Sequence, residues 1–151
     1  MQDGTDQIGA TYLGQQGCRF RVWSPLTAAV AVRLPEAGKL IAMHESGRGY
    51  HEALVEDVRP GDLYFFQLGE DKQRPDPASR FQPQGVHGPS AVVDSRFAWD
   101  DANWSGISLE NYILYELHVG VFTAAGTFEA VIPHLDYLAE LGVTAVELMP
   151  V

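Results

Sequence analysis

At 151 residues, with 46% hydrophobic and 11% aromatic side chains, the chain has the composition of a folded globular protein and not of a disordered one. Its 20 acidic against 10 basic residues give a net charge of −10, which disfavours nucleic acid and anionic membranes as partners and leaves neutral substrates open. A single cysteine excludes an internal disulfide, no stretch approaches the roughly 20 apolar residues of a membrane span, and a complete (β/α)8 barrel needs about 250 residues. No basic start followed by an apolar run stands near Met1, so a cytoplasmic location is expected.

The first two thirds read as short strands. Cys18, Phe20 and Val22 alternate with Arg19, Arg21 and Trp23, the period-two pattern of a strand with one buried face. Val30, Val32 and Leu34 repeat it after Ser24-Pro25, and Pro35 stops the run because it fixes φ and lacks a donor. A weaker strand over Leu40 to His44 leads through Ser46-Gly47-Arg48-Gly49 into Tyr50 to Val55. Pro60-Gly61-Asp62 is a turn, with proline presetting φ and glycine accepting positive φ; Leu63 to Leu68 follows, then the polar turn Gly69-Glu70-Asp71-Lys72. Short, closely spaced strands without helical period predict an antiparallel, immunoglobulin-like β-sandwich.

From Gln73 to Asp94 the periodicity is lost among six prolines and glycines, yet Arg80, Phe81 and His87 favour a packed connector over a flexible linker. Residues 95–110 are read as a linker. From 111 the character changes: Tyr112 to Val121 reads as a strand buried on both faces. Thr127 is a candidate helix N-cap with Glu129 in the first turn, Pro133 breaks the helix into two segments, and Gly142 closes it. Val143 to Met149 is a second buried strand, so the segment predicts a βαβ unit with parallel strands.

The chemistry-bearing residues are sparse. Glu116 and His118, two apart, are expected on one face of the first parallel strand, with Glu147 on the second; an acid and base pair is one reading, and a structurally paired polar group is the plainer one. His44, His51, His87 and His134 lack metal-site spacing and are expected in surface or loop positions, so no metal and no cofactor is expected. Cys18, on the apolar face, is expected to be an inert core thiol. Trp23, Trp99 and Trp104 could stack on sugar rings or fill core and interdomain space, and Trp23, pointing away from the apolar face, is the best sugar contact.

Two sets of residues resemble known families. Phe20 to Pro25 (FRVWSP) is similar to the opening of the carbohydrate-binding module family 48 domain, an immunoglobulin-like module of α-amylase-family enzymes. Tyr115 to Thr123 (YELHVGVFT), Gly126-Thr127-Phe128 and Leu141 to Val151 (LGVTAVELMPV) resemble the first strand, helix and second strand of the glycoside hydrolase family 13 barrel. Val121 stands where that family often has Thr. Pro75 to Arg80 (PDPASR), Gly85 to Ser90 (GVHGPS) and Val92-Val93-Asp94 most resemble the trehalose-releasing hydrolases of family 13.

The resemblance implies a mostly β fold: a sandwich with its connector over 1–94, a linker over 95–110, and an incomplete (β/α)8 TIM barrel over 111–151. It implies a retaining hydrolase that cleaves the α-1,4 bond beside the trehalose end of maltooligosyl trehalose. Glycogen branching and debranching enzymes, a non-catalytic α-glucan-binding module and a purely structural module stay open as alternatives. No catalytic residue carries over, because the family's catalytic carboxylates lie on later barrel strands. Asp76, Arg80, His87, Glu116 and His118 are expected in interdomain packing, and a purely structural module would bury Arg80 and His87 against the βαβ segment. The barrel strands, lacking neighbours, are expected to promote self-association.

Overall fold

The computed structural model describes residues 7–150, and the chain divides after Phe97 into two compact units. The first is a two-sheet sandwich. One sheet has the order β1-β2-β6-β5 (Gly9–Tyr12, Cys18–Trp23, Tyr50–Val55, His44–Gly47). The other runs β4-β3-β7-β8 (Lys39–Ala42, Val30–Leu34, Leu63–Leu68, Lys72–Arg74), with the short β9 (Ser90–Ala91) paired to β7. The chain therefore places two strands in one sheet, crosses to the other for two, and repeats, as expected of an antiparallel sandwich.

The period-two pattern decides which side chains enter the core. Cys18, Phe20 and Val22 from β2 meet Val30, Val32 and Leu34 from β3 and Tyr64 and Phe66 from β7, all buried. Phe20, Tyr64 and Phe66 stack edge to face, with centroids 4.9 and 5.8 Å apart. Cys18 is buried, and desolvation lifts its thiol to about 12, so it is inert as expected.

Several expectations need correction. Met43 interrupts the stretch read as Leu40 to His44, giving two edge strands, β4 and β5, whose side chains are mostly exposed. β1 has little apolar signal in its Gly-Ala-Thr-Tyr sequence and forms nonetheless, and the stretch expected to be irregular includes most of β8 and all of β9. His51 is buried on β6, where its Nε2 lies 3.3 Å from the Ser24 carbonyl, so it is not a surface residue. The β5–β6 turn consists of Arg48 (φ 53°) and Gly49 (φ 79°), the φ signs of a type I′ hairpin. Arginine in this left-handed position carries a strain of about 1–2 kcal/mol.

In the second unit β10 (Leu114–Leu117) and β11 (Ala145–Leu148) pair in parallel, with Glu116 opposite Glu147. Between them lie α1 (Val119–Phe122), α2 (Phe128–Val131), a 3-10 turn carrying Pro133 and α3 (Leu135–Glu140). Thr127 caps α2 by accepting from the Ala130 amide, and Pro133 splits the helix as its missing donor requires. Gly142 (φ 95°) ends α3 in a Schellman arrangement: Val143 N–H donates to Leu138 and Gly142 N–H to Ala139.

The first parallel strand is shorter than Tyr112 to Val121. After Leu117 the backbone turns into α1, where the His118 carbonyl accepts from both Val121 and Phe122. Nor are the strands buried on both faces: Leu114, Tyr115, Glu116, Val146, Glu147 and Leu148 are exposed, and only Leu117 is buried. A two-stranded sheet with one helical layer covers one face at most.

Gly17 (φ 88°) is where the first sheet tolerates no side chain, since a Cβ there would fall on the Val55 carbonyl. Gly38 (φ 61°) has open space around it. Gly17→Ala should therefore lower unfolding free energy by about 3 kcal/mol or more, and Gly38→Ala by about 1 kcal/mol, read from urea midpoints at unchanged slope. Equal losses would contradict the clash.

Candidate functional site

At one mouth of the sandwich, between its two sheets, lies a cleft of about 480 Å³ lined by the end of β2 (Trp23, Ser24), by Leu68 and Arg74, and by Asp76 and Val86 of the connector. Trp23 is the last residue of its strand and points outward, as its alternation with Val22 predicts, leaving it 57% exposed. Its indole Nε1 donates to the Arg48 carbonyl at 3.1 Å, which fixes the ring. Trp99 and Trp104 are exposed as well, so none of the three tryptophans fills a core.

Asp76 sits beneath the cleft in a buried knot. Its Oδ2 accepts from the Tyr64 hydroxyl at 2.5 Å, its Oδ1 accepts from the Ala78 amide at 2.8 Å, and its own amide donates to Ser90 Oγ at 3.0 Å. Burial pushes the carboxyl above its ordinary range, against the hydrogen bonds from Tyr64 and Ala78 and the charge of Arg80. Burial also raises the Tyr64 hydroxyl, with the Asp76 charge adding to it. Gly9 (φ 94°) brings β1 close: a Cβ there would lie 3.2 Å from Asp76 Oδ2. Arg80 Nη1 adds a bond to the Ala10 carbonyl at 2.9 Å.

Asp76 and Arg80 thus make these contacts within the first unit, and both Arg80 and His87 are exposed residues, not buried ones. Both carboxyl oxygens of Asp76 are engaged, by Tyr64 and by Ala78, and the side chain is buried, so the knot reads as one that holds the connector in place. Sequence reasoning missed Tyr64 and Ser90; the signal available was a tyrosine inside an otherwise apolar strand, whose hydroxyl needs a partner when buried.

Glu116 and Glu147 stand side by side in register, both exposed. His118 has left the strand for the N-terminus of α1, so it does not share a strand face with Glu116. The imidazole of His134 instead stacks edge-on against Phe122, 5.6 Å between centroids. Among the described residues no three His, Cys, Asp or Glu side chains come together as a metal site.

The family model for carbohydrate-binding module 48 (isoamylase N-terminal domain) matches residues 7–79. That segment is similar to the module 48 family. Across nearly its whole length the chain is also similar to malto-oligosyltrehalose trehalohydrolases: 43% identical over 92% of the chain to that of Saccharolobus solfataricus and 46% over 98% to that of Deinococcus radiodurans. It spans about a quarter of the length of these curated relatives, 25% and 24%. A 1,4-alpha-glucan branching enzyme from Corynebacterium efficiens is 31% identical over 93% of the chain, which spans 22% of it.

Among solved structures, a Salmonella typhimurium protein assigned as an alpha amylase superposes with a TM-score of 0.85 at 44% identity, over 96% of this chain and 25% of its own. A Paenibacillus barengoltzii pullulanase crystallised with maltohexaose and alpha-cyclodextrin gives 0.70 at 26% identity, over 97% and 27%. The chain is thus mostly β, an immunoglobulin-like module with α-amylase-family neighbours.

The raised carboxyl of Asp76 has a sign. A folded-state pKa above the unfolded value means that the folded chain binds more protons, so the stability Asp76 confers is greatest below the ordinary carboxylate value of 3.8 and declines as pH rises through and beyond it. The exposed Asp94, held down to about 2 by Arg96, acts in the opposite direction and is common to both proteins in the comparison that follows. The stability advantage of the chain over Asp76→Asn should therefore shrink between pH 3.5 and 7, measured by urea denaturation; an advantage that grows with pH would reverse the assignment.

Proposed function

We propose that the chain is part of a glycoside hydrolase of the α-amylase family that cleaves the α-1,4-glucosidic bond beside the trehalose end of maltooligosyl trehalose and releases trehalose. The observation that carries this reading is the 43–46% identity to malto-oligosyltrehalose trehalohydrolases, against 31% to a branching enzyme over a similar span. A transferase of the branching type is the runner-up, since a branching enzyme is similar to the chain over 93% of the chain's length.

On this reading residues 1–94 are the sandwich with its connector, 95–110 a linker, and 111–151 the opening of a (β/α)8 barrel. The parallel register of β10 and β11 supports it, because consecutive barrel strands pair in this way. The two catalytic carboxylates of a retaining mechanism would come from later barrel strands. Glu116, His118 and the exposed His87 would pack against other parts of the longer enzyme. The apolar side chains exposed along the strand pair, Leu114, Tyr115, Val146 and Leu148, would be covered by neighbouring strands, and in this chain alone they favour self-association.

Two measurements test the reading. A longer protein that carries this chain and a complete barrel should release trehalose from maltooligosyl trehalose, while the 151-residue chain should release none. Branch transfer without trehalose release by the longer protein would favour the runner-up. Light scattering of the short chain should give a mass that rises with concentration; a constant monomer mass would remove the self-association.

A further inference from the structure

We propose that the cleft at the mouth of the sandwich, roofed by the loop 82–88, is a binding site for a small apolar carboxylate, an aryl or alkyl acid whose charged end meets Arg74. The site goes beyond the proposed hydrolytic function and does not rest on it.

The floor of the cleft, which measures about 480 Å³, is apolar. Val22 of β2 and Phe66 of β7 reach it from the core, and Leu68, Pro75, Pro77 and Val86 form its sides. A hollow of about 300–1,000 Å³ with an apolar lining and a few polar groups is the usual form of a small-ligand site. Among the described residues that line it, the charged ones are Arg74 and Asp76. Asp76 is buried with both oxygens engaged, by Tyr64 and Ala78, so it offers a ligand little. Arg74 is exposed on the edge strand β8 and spends one guanidinium donor on the Gln73 carbonyl, 2.7 Å away. A guanidinium has five donors in a planar fork, which fits a carboxylate. The net charge of −10 opposes an anion at long range, but salt at about 0.1 M screens that repulsion beyond about 10 Å, whereas Arg74 acts at contact.

The roof is a self-contained loop. The Ala91 amide donates to the Phe81 carbonyl at 2.8 Å and closes its neck. Inside, the Gly85 amide donates to Gln82, the Gly88 amide to Gly85, and the Gln82 side chain to the Val86 carbonyl. Gly88 packs so closely on Gln84 that a Cβ there would lie 2.7 Å from the Gln84 Cβ. Among the described residues no hydrogen bond joins 82–88 to either sheet, while both flanks are pinned, by the Asp76 knot and by β9 on β7. The loop can therefore lift as a unit without losing a hydrogen bond to the sheets, and Gln82 and Val86 close again over what enters.

The test is titration of the 151-residue chain with phenylbutyrate, followed by calorimetry and by methyl NMR, with the uncharged phenylbutanol in parallel. Saturable binding with Kd of about 1 mM or tighter is expected, with shifts at the methyls of Val22, Leu68 and Val86. Val86→Glu, at a residue 72% exposed and so tolerant of change, should weaken phenylbutyrate at least about tenfold by placing a like charge in the cleft. Arg74→Gln, also at an exposed position, should weaken phenylbutyrate severalfold and leave phenylbutanol unchanged. No saturation up to about 10 mM, shifts confined to Leu114 and Val146 of the strand pair, or unchanged affinity in Val86→Glu overturns the site. Arg74→Gln that weakens acid and alcohol equally, or neither, overturns the carboxylate assignment.

Discussion

The hydrogen bond from the Tyr64 hydroxyl to the Asp76 carboxylate ties the irregular connector to the sandwich core. Tyr64 belongs to the edge-to-face aromatic stack that joins the two sheets, so its ring is fixed by packing before its hydroxyl is satisfied. Asp76 then has one correct position, and its neighbours follow: Ala78 turns back onto Oδ1, Ser90 receives the Asp76 amide, and β9 pairs with the start of β7. Each bond alone contributes about 1 kcal/mol. Removing Tyr64's hydroxyl would instead leave a buried carboxylate short of a donor, which costs about 1–3 kcal/mol. The asymmetry explains how a stretch with little apolar periodicity holds a defined path over the mouth of the sandwich.

How much of this was legible depends on where the determinant sits. β2, β3, β6 and β7 could be read because alternation of apolar and polar residues is a local record of one buried face. The outward aim of Trp23 follows from the same record. β1 could not be read: Ala10 is its only buried side chain of any apolar character, and its place is set by pairing with β2 and by close approach of Gly9 to the connector. The Asp76 knot depends on residues 12 and 14 positions away, Tyr64 and Ser90, which no local pattern connects.

The second unit fails the sequence expectation for a different reason. A continuous apolar run records burial in the structure the run evolved for, and it carries no information on which neighbours supply that burial. β10 and β11 keep their parallel register, helped by Thr144 Oγ1, which accepts from the Ile113 amide and donates to the Asn111 carbonyl. Their side chains nevertheless stay exposed, since a strand pair and its crossover helices supply only one layer of cover.

The contrast between the units bears on Glu116 and Glu147. Like charges directly opposite one another on neighbouring strands repel, and in water the repulsion is modest because the solvent screens it. Any element that covered that face would strip the screening away and strengthen the repulsion, unless it brought a cation or a proton with it. A buried neighbour for β10 and β11 must therefore carry more than apolar surface: it must also supply donors for two adjacent carboxylates. That requirement places the chemical significance of the pair in whatever packs against it.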